Sequence, residues 1–343
     1  MAADSLEIRA ATAADDPAVR ALFAATFPDS PKLDREIVRW QYWENPFGTV
    51  RSWVAVDGDQ IVAHYAGMPV PGWLDGAATT LAVGIDAATA PTHRGRGLFE
   101  RLARAVYADC GHHQMPVTVC FPNQNSLRGF VKAGGTPLGR LDTFVLPLRA
   151  SWVAGRFGIP TVVTSAALAA AFRRPHSSGA HQVDAPPDGL DPLWAMRPAP
   201  AENGICRDHA WWEWRYARRP GDAYRYFEIR TGGRLEAAAA TTEREAFGGR
   251  FTFVMELLAV SPTAARAAIG AAAAAAEGTD GLAAIAVAGS AVAGSVRAAG
   301  LRRLPHRLEP KPLNMGIVDN AGGLAAPASG RRWSVSWGDL DHL

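Results

Sequence analysis

The run Arg94-Gly95-Arg96-Gly97 carries the most specific chemistry in the chain. It stands between a stretch that reads as a strand, Thr79–Thr89, and one that reads as a helix from about Leu98 to Cys110. Glycines in such a turn let the backbone bend so that successive N–H groups point at one place. The positive end of the following helix adds to them and makes an anion site. Arg94, Arg96, Arg101 and Arg104 bring positive charge nearby, which suits a polyphosphate. No Gly-Lys-Ser/Thr closes the turn, and no third glycine completes Gly-x-Gly-x-x-Gly. Walker and dinucleotide loops are therefore excluded.

Asp86 is the second chemical signal. It interrupts the apolar run Val83-Gly84-Ile85-Asp86-Ala87, five residues before Pro91. A carboxylate there is costly without a task or a partner. It reads either as a general base or as a structural group bonded to a neighbouring loop. Cys110, Cys120 and Cys206 have no CxxC spacing, so neither a zinc site nor a disulfide framework is expected, and no metal is assigned. Cys120 reads as a buried strand residue.

These groups need elements to hold them. Leu6–Arg9 alternates like a strand, a helix is expected from about Asp16 to Phe27, and another around Leu33–Tyr42 stops before Asn45-Pro46. Ser52–Val56, Asp57-Gly58 and Gln60–Gly67 read as a hairpin, and Val117–Phe121 as a further strand. A short helix near Asn125–Lys132 and a strand at Thr143–Pro147 follow. The uncharged run Phe157–Phe172 is too short and too rich in Ala, Thr and Ser to span a membrane, and reads as a linker helix packed on the protein.

The second half repeats the first. Sliding residues 34–63 by 174 positions matches Trp40 to Trp214, Tyr42 to Tyr216 and Pro46 to Pro220, with Asp34, Arg51, Gly58 and Ala63 also repeated. Two aromatic clusters, Trp40-Gln41-Tyr42-Trp43 and Trp211-Trp212-Glu213-Trp214-Arg215-Tyr216, thus occupy equivalent places and read as a duplicated packing device. Ser261-Pro262, the counterpart of Ala90-Pro91, is followed by no glycine until Gly270. One copy can cradle a phosphate on bare backbone and the other cannot.

Pro91-x-x-Arg94-Gly95-Arg96-Gly97-Leu98 resembles motif A of the GNAT superfamily of acyl-CoA-dependent N-acyltransferases, with Phe99 in place of its last small residue. Asn123, Ser126, Gly129, Phe130, Lys132 and Gly134-Gly135 fall at the spacing of that family's downstream helix. The resemblance covers about residues 6–147 directly and extends to 203–318 through the repeat. It implies an α/β (α+β) fold of tandem GNAT-like domains, each a mixed, mostly antiparallel sheet flanked by helices. The expected layout is a GNAT domain at 1–148, a linker at 149–202, a degenerate copy at 203–318 and a tail at 319–343.

Acetyl-CoA or another acyl-CoA is the cofactor the resemblance implies. Its pyrophosphate would lie on the N–H groups of Gly95, Arg96, Gly97, Leu98 and Phe99, beside Arg94. Its pantetheine arm would follow Ala87, Ala88 and Thr89, with Asn123, Ser126 and Phe130 opposite. Phe130 stands where the family commonly carries a tyrosine acid, so the leaving thiolate must take its proton from another group or from water. That difference sets the chain apart from the aminoglycoside acetyltransferases to which Thr92-His93-Arg94 is otherwise similar.

The function expected is N-acyl transfer, most simply N-acetyl transfer, to a small-molecule amine by direct attack, with Asp86 as base. Glu44, Asn45, Asp339 and Asp341 are further acceptor-site candidates. An aminoacyl or peptidoglycan-type transferase on the same fold, or an acyl-CoA-binding sensor, are the alternatives. The net charge of +2 over 343 residues offers no footprint for nucleic acid or an anionic membrane. Acids at the N-terminus, where a signal peptide needs bases, point to a cytoplasmic protein.

Overall fold

Side chains alternate across a strand, and β3 (Gln60–Leu74) uses that alternation to build two layers. Ala63 and Tyr65 enter one apolar cluster. His64, between them, faces the other way and meets Phe23 edge-on at 5.2 Å between ring centroids. The structure, a computed structural model, describes residues 6–28, 34–158, 160, 161, 163, 165, 179–309, 312–322 and 332–340. Asp341 and most of Phe157–Phe172 lie outside the described residues.

The chain divides into two units, one from Met1–Arg140 with Leu313–Arg331, the other from Leu141–Pro312 with Arg332–Asp341. The first unit opens with β1 (Glu7–Ala10), α1 (Asp16–Thr26) and α2 (Arg35–Val38), which runs on into a π-helical turn at Arg39–Trp43. β2 (Arg51–Asp57), β3 and β4 (Ala77–Thr89) form an antiparallel meander. Then come α3 (Leu98–His112), β5 (Val117–Cys120), α4 (Gln124–Lys132) and β6 (Thr136–Arg140). α3 lays Leu98, Leu102, Val106 and Tyr107 on the face of Tyr65. α1 covers the opposite face with Val19, Leu22 and Phe23 over Val54 and Ala88.

The second unit starts with β7 (Asp142–Pro147) and α5 (Ala150–Phe157), then β8 (Ala180–Val183), α6 (Leu190–Ala195), β9 (Gly204–Ile205) and α7 (His209–Trp212). Another π-helical turn, Glu213–Ala217, precedes a second meander of β10 (Arg225–Thr231), β11 (Arg234–Ala246) and β12 (Gly249–Ala259). α8 (Pro262–Ala275), β13 (Gly281–Ala286), α9 (Ala291–Ala298) and β14 (Arg302–Arg303) follow, so that from the π-helical turn onward the order of elements is that of the first unit. The alanines of α8 sit against Ala237, Ala239 and Leu257, since small side chains let helix and sheet approach closely.

Two strands have changed places. The first sheet runs β1-β2-β3-β4-β5-β15-β6, where β15 is Asn314–Asp319. The second runs β14-β7-β13-β12-β11-β10-β8. β7 follows β6 in the chain yet pairs with β13 and β14, while β15 pairs with β5 and β6. The contiguous ranges expected from the sequence, 1–148 and 203–318, therefore differ from the observed units at these strands. No helix among the described residues is long and apolar enough to cross a membrane.

Candidate functional site

The site grows from the far end of β4. β4 pairs with β5 in parallel at Ala82↔Thr118 and Val83↔Val119, then continues along β3 as far as Thr89. β5 stops at Cys120, and the strands part into an opening. At its throat stands Gly84, where a Cβ would fall 2.9 Å from Cys120 Sγ and closer still to the Tyr65 hydroxyl. Tyr65 Oη lies 3.3 Å from Tyr107 Oη and 3.5 Å from Cys120 Sγ. Burial pushes the Cys120 thiol up to about 11 and the Tyr65 hydroxyl well above its ordinary value. Both groups stay protonated at neutral pH.

Past the throat β4 bulges. Ala66 pairs with Ile85 but His64 with Ala88, so β4 carries one extra residue there. Asp86 takes the left-handed conformation, φ 56°. Two groups hold it: the Tyr42 hydroxyl donates to Asp86 Oδ2 at 2.6 Å, and His64 Nδ1 lies 2.9 Å from the Asp86 carbonyl. A carbonyl only accepts, so Nδ1 is the donor, while Nε2 lies 2.7 Å from the Ser52 hydroxyl. His64, 1% exposed, thereby has both ring nitrogens engaged. Ala87 is exposed, Ala88 is buried beneath α1, and Thr89 ends the strand.

A single turn of 3-10 helix, Pro91–His93, leads from β4 to the glycine turn. His93 braces it, with Nε2 3.0 Å from Asp57 and Nδ1 2.9 Å from Thr92 Oγ1. Gly95 and Gly97 have φ of 79° and 71°, and a Cβ on either would meet nothing within 4 Å. They serve backbone conformation, not space. Gly97 caps α3 without a side chain, so no N-cap side chain takes up the first-turn N–H groups. Buried Leu98 anchors that turn, Phe99 is half-buried, and Arg94 and Arg96 are exposed. An open turn of bare N–H groups flanked by guanidiniums fits a polyphosphate. In the second unit the Ser261 side chain accepts from Ala264 N at 3.2 Å at the start of α8. That helix end satisfies itself.

Across the opening, Asn123 caps α4 by accepting from the N–H groups of Asn125 (2.9 Å) and Ser126 (3.0 Å). Gly129 lets α4 approach Phe99. Phe130 is 1% exposed and fills the core over Gly135 and Gly316. Glu44 pairs with Arg39 at 2.7 Å on the surface, and Asn45 ties its turn by donating to Pro69 O at 3.0 Å. Beside Tyr42 a cavity of about 220 Å³ opens between α1, the π-helical turn and β2, with Ser52 and His64 among its lining. Tyr42, His64 and Ser52 went unrecognised in the sequence. The signal available was the repetition of Tyr42 as Tyr216.

In the second unit Tyr216 also donates to a carboxylate on the strand before α8, Glu256 Oε2 at 3.2 Å. Here the place is filled from within. Arg207 Nε lies 2.8 Å from Glu256, and Arg207 Nη2 lies 2.6 Å from Asp339. All three are at most 4% exposed. Burial raises the Glu256 carboxyl to about 7 and the Asp339 carboxyl in the same direction, against the pull of Arg207. Asp339 thus sits in the second unit, bonded to Arg207. Among the described residues no cluster of His, Cys, Asp or Glu could hold a metal ion.

The sequence model of the family described as "Acetyltransferase (GNAT) domain" matches residues 7–130. The fold is similar to a GCN5-related N-acetyltransferase from Anabaena variabilis ATCC 29413, with TM-score 0.65, 14% identity, and 92% of this chain and 73% of that chain covered. A protein of Enterococcus faecalis V583, described as of unknown function and a probable N-acyltransferase, gives 0.65, 12%, 92% and 73%. A GCN5-related N-acetyltransferase from Kribbella flavida gives 0.59, 15%, 91% and 70%. No curated protein sequence matches the chain. Residues 7–130 thus match the sequence model of a GNAT acetyltransferase domain, and the two mixed sheets flanked by helices are the fold of these neighbours.

Proposed function

We propose that the protein is an acyl-CoA-dependent N-acyltransferase, in its simplest form an N-acetyltransferase, that acts on a small-molecule amine at one site in the first unit. The observation that carries this reading is that β4 ends in an open, uncapped glycine turn and holds a carboxylate at its bulge. Acyl-CoA, when bound, supplies an acyl group activated as a thioester. The N–H groups from Gly95 to Phe99 hold its pyrophosphate, with Arg94 and Arg96 adding charge. The edge of β4 released by β5, from Gly84 to Thr89, offers main-chain groups to the pantetheine arm. Asn123 and Ser126 border that arm from α4.

Asp86 takes the proton that an ammonium must lose before its nitrogen can attack, and Tyr42 fixes the carboxylate for that task. The C–N bond forms as the C–S bond breaks. Phe130 has no proton to give the departing sulfur, so another group or water provides it. The open glycine turn favours acyl-CoA over aminoacyl donors.

Acetyl-CoA titrated calorimetrically should bind the parent, and Gly97→Trp should weaken it at least tenfold; a Cβ there meets open space, but the positive φ strains any side chain, so the unfolding midpoint should also fall modestly. Asp86→Asn should keep that affinity and lose about 10²–10⁴-fold in thiol release. Binding indifferent to Gly97→Trp would sink the cofactor assignment. Turnover untouched in Asp86→Asn would remove the base. Tight binding with no thiol release from any amine would favour the sensor reading.

A further inference from the structure

We propose, resting on the acyltransferase reading, that the acceptor is a monoamine with a compact aliphatic or aromatic body and no second positive charge. Its body occupies the cavity between α1 and the π-helical turn, and its nitrogen meets Asp86.

The cavity, about 220 Å³, has walls of Val19, Phe23, Val38 and Val50 and an aromatic rim of Tyr42 and Trp43. Trp43 is 55% exposed, a large apolar surface left open at the mouth. Such walls select an apolar group by size and shape. Tyr42 belongs both to the cavity and, through its hydroxyl, to Asp86. Asp86 is not itself in the lining, so Tyr42 is the residue past which a group lodged there reaches the carboxylate.

The lining disfavours polyamines and aminoglycosides, which need a carboxylate for each further ammonium. Of the residues lining the cavity, Asp16 is the acid and Arg20 and Arg51 are the fixed cations. Asp16 is already bonded by Arg20 at 3.0 Å, and Arg51 by Asp109 at 3.1 Å. His64 offers no spare acceptor, since both ring nitrogens are engaged. A second ammonium would find the acid of the lining, Asp16, already paired with Arg20, and would have to compete with that guanidinium for it.

The second unit supplies an independent precedent for the first charge. There the matching tyrosine and strand carboxylate, Tyr216 and Glu256, hold the guanidinium of Arg207 at 2.8 Å. The device seats one cationic nitrogen and presents aromatic surface beside it. In the first unit the matching tyrosine, Tyr42, both donates to its strand carboxylate and lines the cavity.

Acetyl-CoA binding is measured first, by calorimetry, because its loss would overturn the acyltransferase reading and not the substrate class. Thiol release is then compared for phenethylamine and isoamylamine against spermidine and kanamycin. The expected result is a kcat/KM at least a hundredfold higher for the monoamines. Spermidine or kanamycin equal to or better than the monoamines overturns the proposal. Direct binding of phenethylamine by ligand-observed NMR gives a readout that needs no turnover. Phe23→Trp, which fills the cavity, should abolish it while acetyl-CoA affinity stays within twofold. Trp43→Ala, at an exposed position where folding is not at stake, should weaken it several-fold. Phenethylamine binding that is absent, or indifferent to both variants, overturns the cavity assignment.

Discussion

Asp86 occupies a backbone conformation that costs a non-glycine residue on the order of 1–3 kcal/mol. Aspartate is among the side chains that tolerate it best. The cost is offset by the Tyr42 and His64 hydrogen bonds, one to the carboxylate and one to the carbonyl. Removing the first leaves the carboxylate less well aimed and the backbone still pinned by His64. Tyr42→Phe should therefore lower kcat about tenfold or more, the scale of a hydrogen bond to a charged group. Acetyl-CoA affinity should stay unchanged, and steady-state kinetics beside calorimetry would show the split. Equal kcat in the variant would make Tyr42 a packing residue, as its aromatic neighbours suggested. Asp86 itself was legible because a carboxylate inside an apolar strand demands an explanation. Tyr42 was not, because nothing in Trp40-Gln41-Tyr42-Trp43 tells a hydroxyl with a distant partner from one facing water.

Among the elements, the strand and helix around the glycine turn were legible to within a few residues. Thr79–Thr89 is β4 at Ala77–Thr89, and Leu98–Cys110 is α3 at Leu98–His112. Both depend on local pattern, which sequence carries. The bulge in β4 and the two π-helical turns do not. Their register is set by cross-strand pairs and by bonds between residues 44 apart, as for Tyr42 and Asp86. The segment Arg332–Leu340 is tied to β12 in the same non-local way, through Asp339, Arg207 and Glu256. A carboxyl raised to about 7 in the folded state is ionised above that pH against its surroundings. The stability it contributes is fully present below its unfolded value, about 4.3, and is lost as pH rises through 7. The urea midpoint should thus rise as pH falls from 8 to 5.5. Glu256→Gln, which keeps the shape without the charge, should flatten that slope. A midpoint independent of pH in the parent, or a slope that survives the substitution, would contradict this account.

At the scale of the whole molecule, the repeat was visible as a 174-residue offset, and the second unit does carry the same order of elements from its π-helical turn onward. The exchange of β7 and β15 was not. Each reads locally as an ordinary apolar strand, and nothing in either names the sheet it will join. The exchange has a direct consequence for dissection. A fragment ending at Leu148 lacks β15, which leaves β5 and β6 without their shared neighbour and exposes unpaired strand edges. That fragment should aggregate or show no cooperative urea transition. Adding a peptide of residues 313–322 should restore part of both the transition and acetyl-CoA binding. A soluble, cooperatively folding 1–148 would show that β15 is dispensable.

The same exchange sets an order on the protein's birth. Thr118 bonds to Asn320 across 202 residues, so the sheet behind the glycine turn waits for nearly the whole chain. At translation speeds of 5–20 residues per second, roughly 10–40 s separate the emergence of β5 from that of β15. Through that interval the nascent first half leaves the ribosome as a sheet with a missing slat. It is then a natural client for whatever shields open strands in the cell, and a candidate to take the wrong slat from a neighbouring nascent copy.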